Sequence, residues 1–215
     1  MKAQKSKVKE NDKAKQNIVD FIYETSIHSK TPRSGFWFLG SGEQSVAEHL
    51  FHTAMIAYAL SHEEPAADKS KMVLMALFHD IGEGRTSDQN YVHQRYGRLA
   101  EAQAVKDIAD SLPFGDEIKS LFEEEQARET LEARLVKDAD TLEWISTLRA
   151  EEVKGNAKAR EWIDAAQKRL KTPAGKELGK LLDRTHPDSW WFDKGDKWFI
   201  DRREKDKDWK KIAKS

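Results

Sequence analysis

"MVLMALFHDIGEG" (residues 72–84) is the stretch on which the reading of the fold turns. An unbroken apolar run from Met72 to Phe78 leads directly into His79 and Asp80, and Glu83 follows between Gly82 and Gly84. The run is far too short to span a bilayer. It reads as a buried helix that delivers an imidazole and a carboxylate side by side into apolar surroundings. A buried carboxylate is costly unless it is paired, hydrogen-bonded or bound to a metal. Gly82 and Gly84 are expected to let the chain turn after Asp80, so that Glu83 faces whatever compensates that charge.

Helical patterns surround this segment. Upstream, Ile18, Phe21, Ile22 and Thr25 form an amphipathic stripe over roughly 13–29. A loop rich in Ser, Gly and Pro, "SKTPRSGFWFLGSGEQ", separates it from "SVAE" at 45–48, a capping box that opens a helix to about Ser61. Downstream, 91–111 and 115–128 read as helices parted by Pro113 and Gly115. "ETLEARLVKDADTLEWISTLRAEEV" (129–153) sets Leu131, Leu135, Leu142 and Ile145 at mainly helical spacing. Shorter helices are expected at 156–171 and 174–184. No β alternation or internal repeat interrupts the pattern. The expected fold is all-α: one helical bundle over 13–185, a flexible basic tail at 1–12, and an aromatic and charged extension at 186–215.

Composition narrows the class. Of 215 residues, 35% are charged and 38% hydrophobic, which suits a soluble domain. Six lysines against Glu10 and Asp12 put +4 on residues 1–15, and seven Lys and Arg against four acids put +3 on residues 201–215. A formal net charge of −1 therefore leaves −8 on the body between them. There is no cysteine, hence no disulfide and no thiolate chemistry, as suits a reducing compartment. The N-terminus "MKAQKSKVKENDK" lacks the apolar segment of a secretory signal, and a cytoplasmic location is expected.

Four residues on apolar helical patterns could converge on one divalent metal: His49, His79, Asp80 and Asp140. Bundles build such sites from inward-facing side chains of different helices. A mixed nitrogen and oxygen set suits Zn, Mn, Fe or Co, with Mg a further option. His52, one turn after His49, is expected to pack or hydrogen-bond rather than ligate. His93 could lie near a pocket mouth, whereas His28, His62 and His186 look peripheral.

The ordered motifs "SVAEH" (45–49), "HDIGE" (79–83) and "ARLVKDADTLE" (133–143) carry a resemblance. Together they resemble the HD-domain superfamily of metal-dependent phosphohydrolases, and within it the YfbR-like 5′-deoxynucleotidase branch, over about residues 15–155. The resemblance implies an all-α fold, a divalent metal, often a homodimer, and release of phosphate from deoxyribonucleoside 5′-monophosphates. It places His49, His79, Asp80 and Asp140 as metal ligands, Glu83 as the catalytic acid, and Asp88 near an assisting acidic position. Arg33 falls on the arginine that holds substrate phosphate. In that branch a Trp follows the arginine directly; here "RSGFW" leaves Trp37, or Phe36, to meet the sugar.

Two alternatives stand beside the nucleotide phosphomonoesterase. One is an HD phosphohydrolase for another phosphoester, such as a cyclic or triphosphorylated nucleotide. The other is a nucleic-acid-binding module using the basic ends and "SWWFDKGDKWFID" (189–201), since aromatics among lysines stack on single strands. Such segments more often pack on the body or on a neighbouring subunit. No membrane partner is expected.

Overall fold

A computed structural model describes residues 2–196 and 199 of the chain. Helix α1 (Lys2–Thr25) passes through a 3₁₀ turn (Ser26–Ser29) into a loop that carries the single turn α2 (Phe36–Leu39). Then come α3 (Val46–Glu63), α4 (Lys69–Phe78), the short α5 (Glu83–Thr86) and α6 (Tyr91–Tyr96). The chain continues through α7 (Glu101–Ser111), α8 (Gly115–Ala127), α9 (Leu131–Val153), α10 (Lys158–Gln167) and α11 (Pro173–Arg184). No strand occurs among the described residues, and the expected all-α bundle is what the chain forms.

Side-chain caps fix where the site-bearing helices begin. Ser45 Oγ accepts from the Glu48 amide at 3.2 Å while Glu48 Oε2 accepts from the Ser45 amide at 2.6 Å, the capping box expected at the head of α3. Asp68 caps α4 through the Lys71 amide, and Thr130 caps α9 through the Ala133 amide. Each contact satisfies an amide that the helix itself leaves unpaired.

Helix α9 is the axis of the core. Its Leu135, Val136, Leu142, Ile145 and Leu148 are wholly buried against Ala57 and Leu60 of α3 and Met72 and Met75 of α4. Burying each large apolar side chain contributes on the order of 1.5–3 kcal/mol, so α3, which carries His49, and α4, which leads into His79, are held firmly against α9. A second cluster, Ile81, Val105, Ile108, Ile118 and Phe122, seats α7 and α8 beside the turn that follows α4.

Several boundaries differ from the sequence expectation. Helix α1 starts at Lys2, so the residues expected as a flexible tail at 1–12 are, from Lys2 on, continuous with the helix. The expected 91–111 helix is split, because Gly97 adopts an extended backbone (φ −135°, ψ 153°) between α6 and α7. The loop before α3 is pinned at its base: Arg33 N donates to Gln44 O and Val46 N to Thr31 O, around an isolated Pro32–Ser45 bridge. Trp191, Phe192 and Phe199 pack on one another, and Trp190 is 86% exposed, so these aromatics do not fold back into the core. The rest of the aromatic segment and the basic stretch 201–215 lie outside the described residues. Among the described residues, no helix is long and apolar enough to cross a membrane.

Candidate metal centre and its cleft

The expected ligands come from three helices and meet. His49 from α3 is fully buried, and its Nε2 lies 3.3 Å from His79 Nε2, at the end of α4. Asp140 Oδ1, from α9, stands 3.3 Å from His49 Nε2. Asp80 Oδ2 reaches the same two nitrogens at 3.6 and 3.3 Å. One atom each from His49, His79 and Asp140 falls within a 4.8 Å span, a group able to hold a metal ion.

Hydrogen bonding on the far side of each imidazole orients the near side. His49 Nδ1 lies 2.9 Å from Glu143 Oε2, and His79 Nδ1 lies 2.8 Å from the Ala76 carbonyl. Both partners are acceptors, so both Nδ1 atoms donate, and in the form that can bind a cation each ring turns a lone pair inward through Nε2. Two lone pairs 3.3 Å apart, flanked by two carboxylates, repel one another unless a positive charge sits among them. A divalent cation satisfies that arrangement. Without one, burial opposes the charge on His79 but Asp80 prevails and raises its pKa to about 9. Lys137 takes the other oxygen of Asp140 at 2.7 Å, which leaves Oδ1 facing the imidazoles.

Glu143 was not singled out by the sequence reading. It is fully buried, and besides His49 it accepts from Gln44 Nε2 at 2.7 Å and Thr147 Oγ1 at 3.0 Å. Against its burial, the hydrogen bond from His49 and then that from His52 hold its pKa well below the usual carboxylate range. Its position three residues after Asp140, on the same helical face, was the available signal. His52 lies 3.4 Å from Glu143 Oε1, a hydrogen-bonding place as expected.

Glu83 begins α5 and lines the cleft that opens over the cluster. Its Oε2 is buried without a hydrogen-bond partner. Burial, then the charge of Asp80, push its carboxyl up to about 10. The glycines flanking it act differently from expectation. Gly82 has ordinary helical angles (φ −64°, ψ −24°) and is needed for close approach, since a Cβ there would lie 2.9 Å from Glu101 Cγ. A Cβ on Gly84 would come within 3.1 Å of the His28 ring. His28 is therefore not peripheral: it is buried, with Nε2 3.0 Å from the Ile81 carbonyl, and it pins the turn that carries Glu83.

Arg33 enters the same cleft, with Nη1 3.2 Å from Asp80 Oδ2 and 3.4 Å from Asp88 Oδ1. Burial works against its charge, but Asp80 and then Asp88 raise its pKa above the usual value. Asp88 also accepts from Ser34 N at 2.6 Å and Ser34 Oγ at 2.8 Å, tying the Arg33 loop to the chain after α5. Ser87, at φ +68°, makes the reversal that turns Asp88 back toward that loop. Trp37 is not brought to the cleft: it is 63% exposed, and its ring lies edge-on to His93 at 5.9 Å. Phe36 is buried against Trp144. The aromatic surface lining the cleft comes from Trp144 and Tyr91, which the sequence reading did not propose. The cleft encloses about 620 Å³.

Bundle and site together define the class. The family model described as the HD domain matches residues 28–182, and the chain belongs to that family. Among its relatives, it is 29% identical over 143 residues to the 5′-deoxynucleotidase hdd1 of Schizosaccharomyces pombe, covering 61% of this chain and 71% of that one. It is 28% identical over 156 residues to the 5′-deoxynucleotidase HDDC2 of Dictyostelium discoideum, covering 65% and 82%. A solved structure of a conserved hypothetical protein from Pyrococcus furiosus superposes with a TM-score of 0.67 at 28% identity, covering 78% of this chain and 99% of that one.

Proposed function

We propose that this metal-dependent hydrolase of the HD-domain family is a phosphomonoesterase that releases phosphate from nucleoside 5′-monophosphates, with deoxy forms preferred. The observation that carries the reading is the inward-facing pair of imidazole nitrogens with Asp140 and Asp80, roofed by Arg33 and Glu83. Relatives named 5′-deoxynucleotidase support the substrate class. The test is a phosphate-release screen of the purified protein over nucleotides and divalent metals. Faster release from a cyclic dinucleotide or from dATP than from dAMP or AMP would favour another HD phosphohydrolase activity.

In this reading His49, His79, Asp80 and Asp140 hold one divalent ion; Co, Mn, Zn, Fe and Mg are the candidates. When bound, that ion supplies Lewis acidity toward water and neutralises phosphate charge. Arg33 grips the phosphate: only its Nη1 is engaged by Asp80 and Asp88, and its remaining donors form the fork that suits phosphate oxygens. Asp88 serves by fixing Arg33 and Ser34 in place. With a divalent ion offsetting the charge of Asp80, Glu83 would ionise and take a proton from the attacking water as the water oxygen bonds to phosphorus. It returns that proton to O5′ as the P–O5′ bond breaks, so phosphate and nucleoside leave. Trp144 and Tyr91 supply the aromatic surface for sugar or base in place of Trp37.

Two predictions follow from these assignments. Arg33→Ala is expected to weaken both KM and kcat for dAMP, and Arg33→Lys to recover only part of the loss, because an ammonium lacks the bidentate fork. Full recovery with Lys would show that charge alone suffices. Glu143→Gln is expected to weaken divalent-metal affinity by roughly 10–100-fold, read by competition against a chromophoric chelator. Unchanged affinity would remove Glu143 from any role in orienting His49.

The basic ends and the −8 body leave the nucleic-acid-binding module as the less favoured reading; binding to single strands that survives Asp140→Ala would revive it. A homodimer is proposed from the family reading. Light scattering at micromolar concentration should give about twice 24.7 kDa, and a mass near 24.7 kDa alone would refute it.

A further inference from the structure

The basic side chains that line the cleft divide into two sets. Arg33 and Lys137 are ion-paired to Asp80, Asp88 and Asp140 at the metal end. Arg128, Arg134, Lys168, Arg169 and Lys171 have no ion pair to a carboxylate among the described residues. The acids lining the cleft are Asp80, Glu83, Asp88 and Asp140, all at the metal end. A body that carries −8 thus collects five unneutralised cations in the one cleft that also holds its metal cluster.

That basic wall is built onto the ligand helix. Asp138, 1% exposed and two residues before Asp140, accepts from Lys171 N at 2.8 Å, Thr172 N at 2.7 Å and Thr172 Oγ1 at 2.6 Å. A Cβ on Gly175 would come 2.3 Å from Asp138 Oδ2, so the start of α11 closes onto this carboxylate only with glycine there. The strip holding Lys168, Arg169 and Lys171 is therefore clasped to α9. Arg169 donates to the Tyr91 hydroxyl and lies over the Tyr91 ring at 5.8 Å. Arg134 precedes Asp140 by six residues on α9, which at the helical rise separates their backbones by roughly 9 Å.

A single phosphate at the metal end leaves these five cations facing an uncharged nucleoside. A phosphate joined directly to the scissile one would stay at the metal end, beside Asp80, Glu83 and Asp88, where the cations are already paired. A phosphate on the far side of the sugar avoids those acids and meets the wall. We propose that the preferred substrate is a nucleotide with a second, 3′-linked phosphate, held by Arg134, Lys171 and their neighbours while the 5′-phosphate is hydrolysed. This rests on the phosphomonoesterase reading. The 3′-linked phosphate can belong to a nucleoside 3′,5′-bisphosphate or to a short 5′-phosphorylated oligonucleotide.

The test uses the Mn²⁺-loaded protein and compares 5′-phosphate release from dAMP, deoxyadenosine 3′,5′-bisphosphate, the 5′-phosphorylated dinucleotide pdApdA and dADP. At least one 3′-linked substrate should exceed dAMP in kcat/KM by about tenfold or more, chiefly through KM. The better of the two identifies the source. Within the double variant Arg134→Glu/Lys171→Glu that ratio should fall toward one, and within Asp138→Asn it should fall in part. Equal handling of dAMP and both 3′-linked substrates, preference for dADP, or a ratio unmoved in the double variant would each overturn the proposal. If no nucleotide releases phosphate, the phosphomonoesterase reading itself fails. Calorimetry then decides the wall: tighter binding of the bisphosphate than of dAMP upholds it, and equal binding overturns it.

Discussion

Replacing Glu83 by Gln is expected to cut phosphate release by roughly 10²-fold or more while bound metal stays at the wild-type level. The amide keeps the shape of the side chain but cannot take a proton from water. Activity near wild type would reduce Glu83 to a structural acid. The same variant carries a stability signature. In the metal-free protein the folded-state pKa of Glu83 is about 10, against an ordinary 4.5. Between those values the folded chain holds a proton that the unfolded chain has released, so its contribution to stability is present at low pH and lost as pH rises. Gln has no such slope. The Tm advantage of the metal-free Glu83→Gln protein over wild type should therefore widen from pH 5 to pH 9. A difference that does not change with pH would show that the carboxyl is not held protonated.

His79→Ala and Asp140→Ala are each expected to take metal content from about one ion per chain to near zero, with phosphate release falling to background. Each removes one of the three groups that offer atoms within the same 4.8 Å span. Neither the remaining imidazole nor the remaining carboxylates complete the set alone. Elemental analysis after dialysis reads the result directly. Metal content unchanged in both variants would sink the site.

Much of this was legible in the chain, for identifiable reasons. The apolar run ending in His79 and Asp80, the capping box before His49, and the leucine spacing around Asp140 all express short-range physics, namely helical period and end-capping. These fixed the elements and their inward residues. What lay hidden depended on which elements meet. Phe36 and Trp37 are the aromatics nearest to Arg33 in sequence, but the single turn of α2 buries Phe36 and leaves Trp37 exposed, while Trp144 arrives from α9. His28 looked peripheral because nothing nearby in sequence marks it; its partner is the Ile81 carbonyl. Glu143 reads as one more charged residue until His49 is seen against it. Gly97, which divides the expected 91–111 helix, was visible, but a lone glycine inside a helical pattern is often tolerated.

Helix α9 carries Asp138, Asp140 and Glu143 within six residues, Asp138 turned toward Thr172, and Asp140 and Glu143 toward the two ring nitrogens of His49. Because these directions follow from a rotation of roughly 100° per residue, one residue gained or lost between Leu131 and Asp138 would swing all three away from their partners together. Point substitutions there can be graded and compensated one at a time, but a change in length cannot. Length variation among descendants of this sequence should be barred from that segment and fall instead around Gly97, where the backbone already leaves the helix.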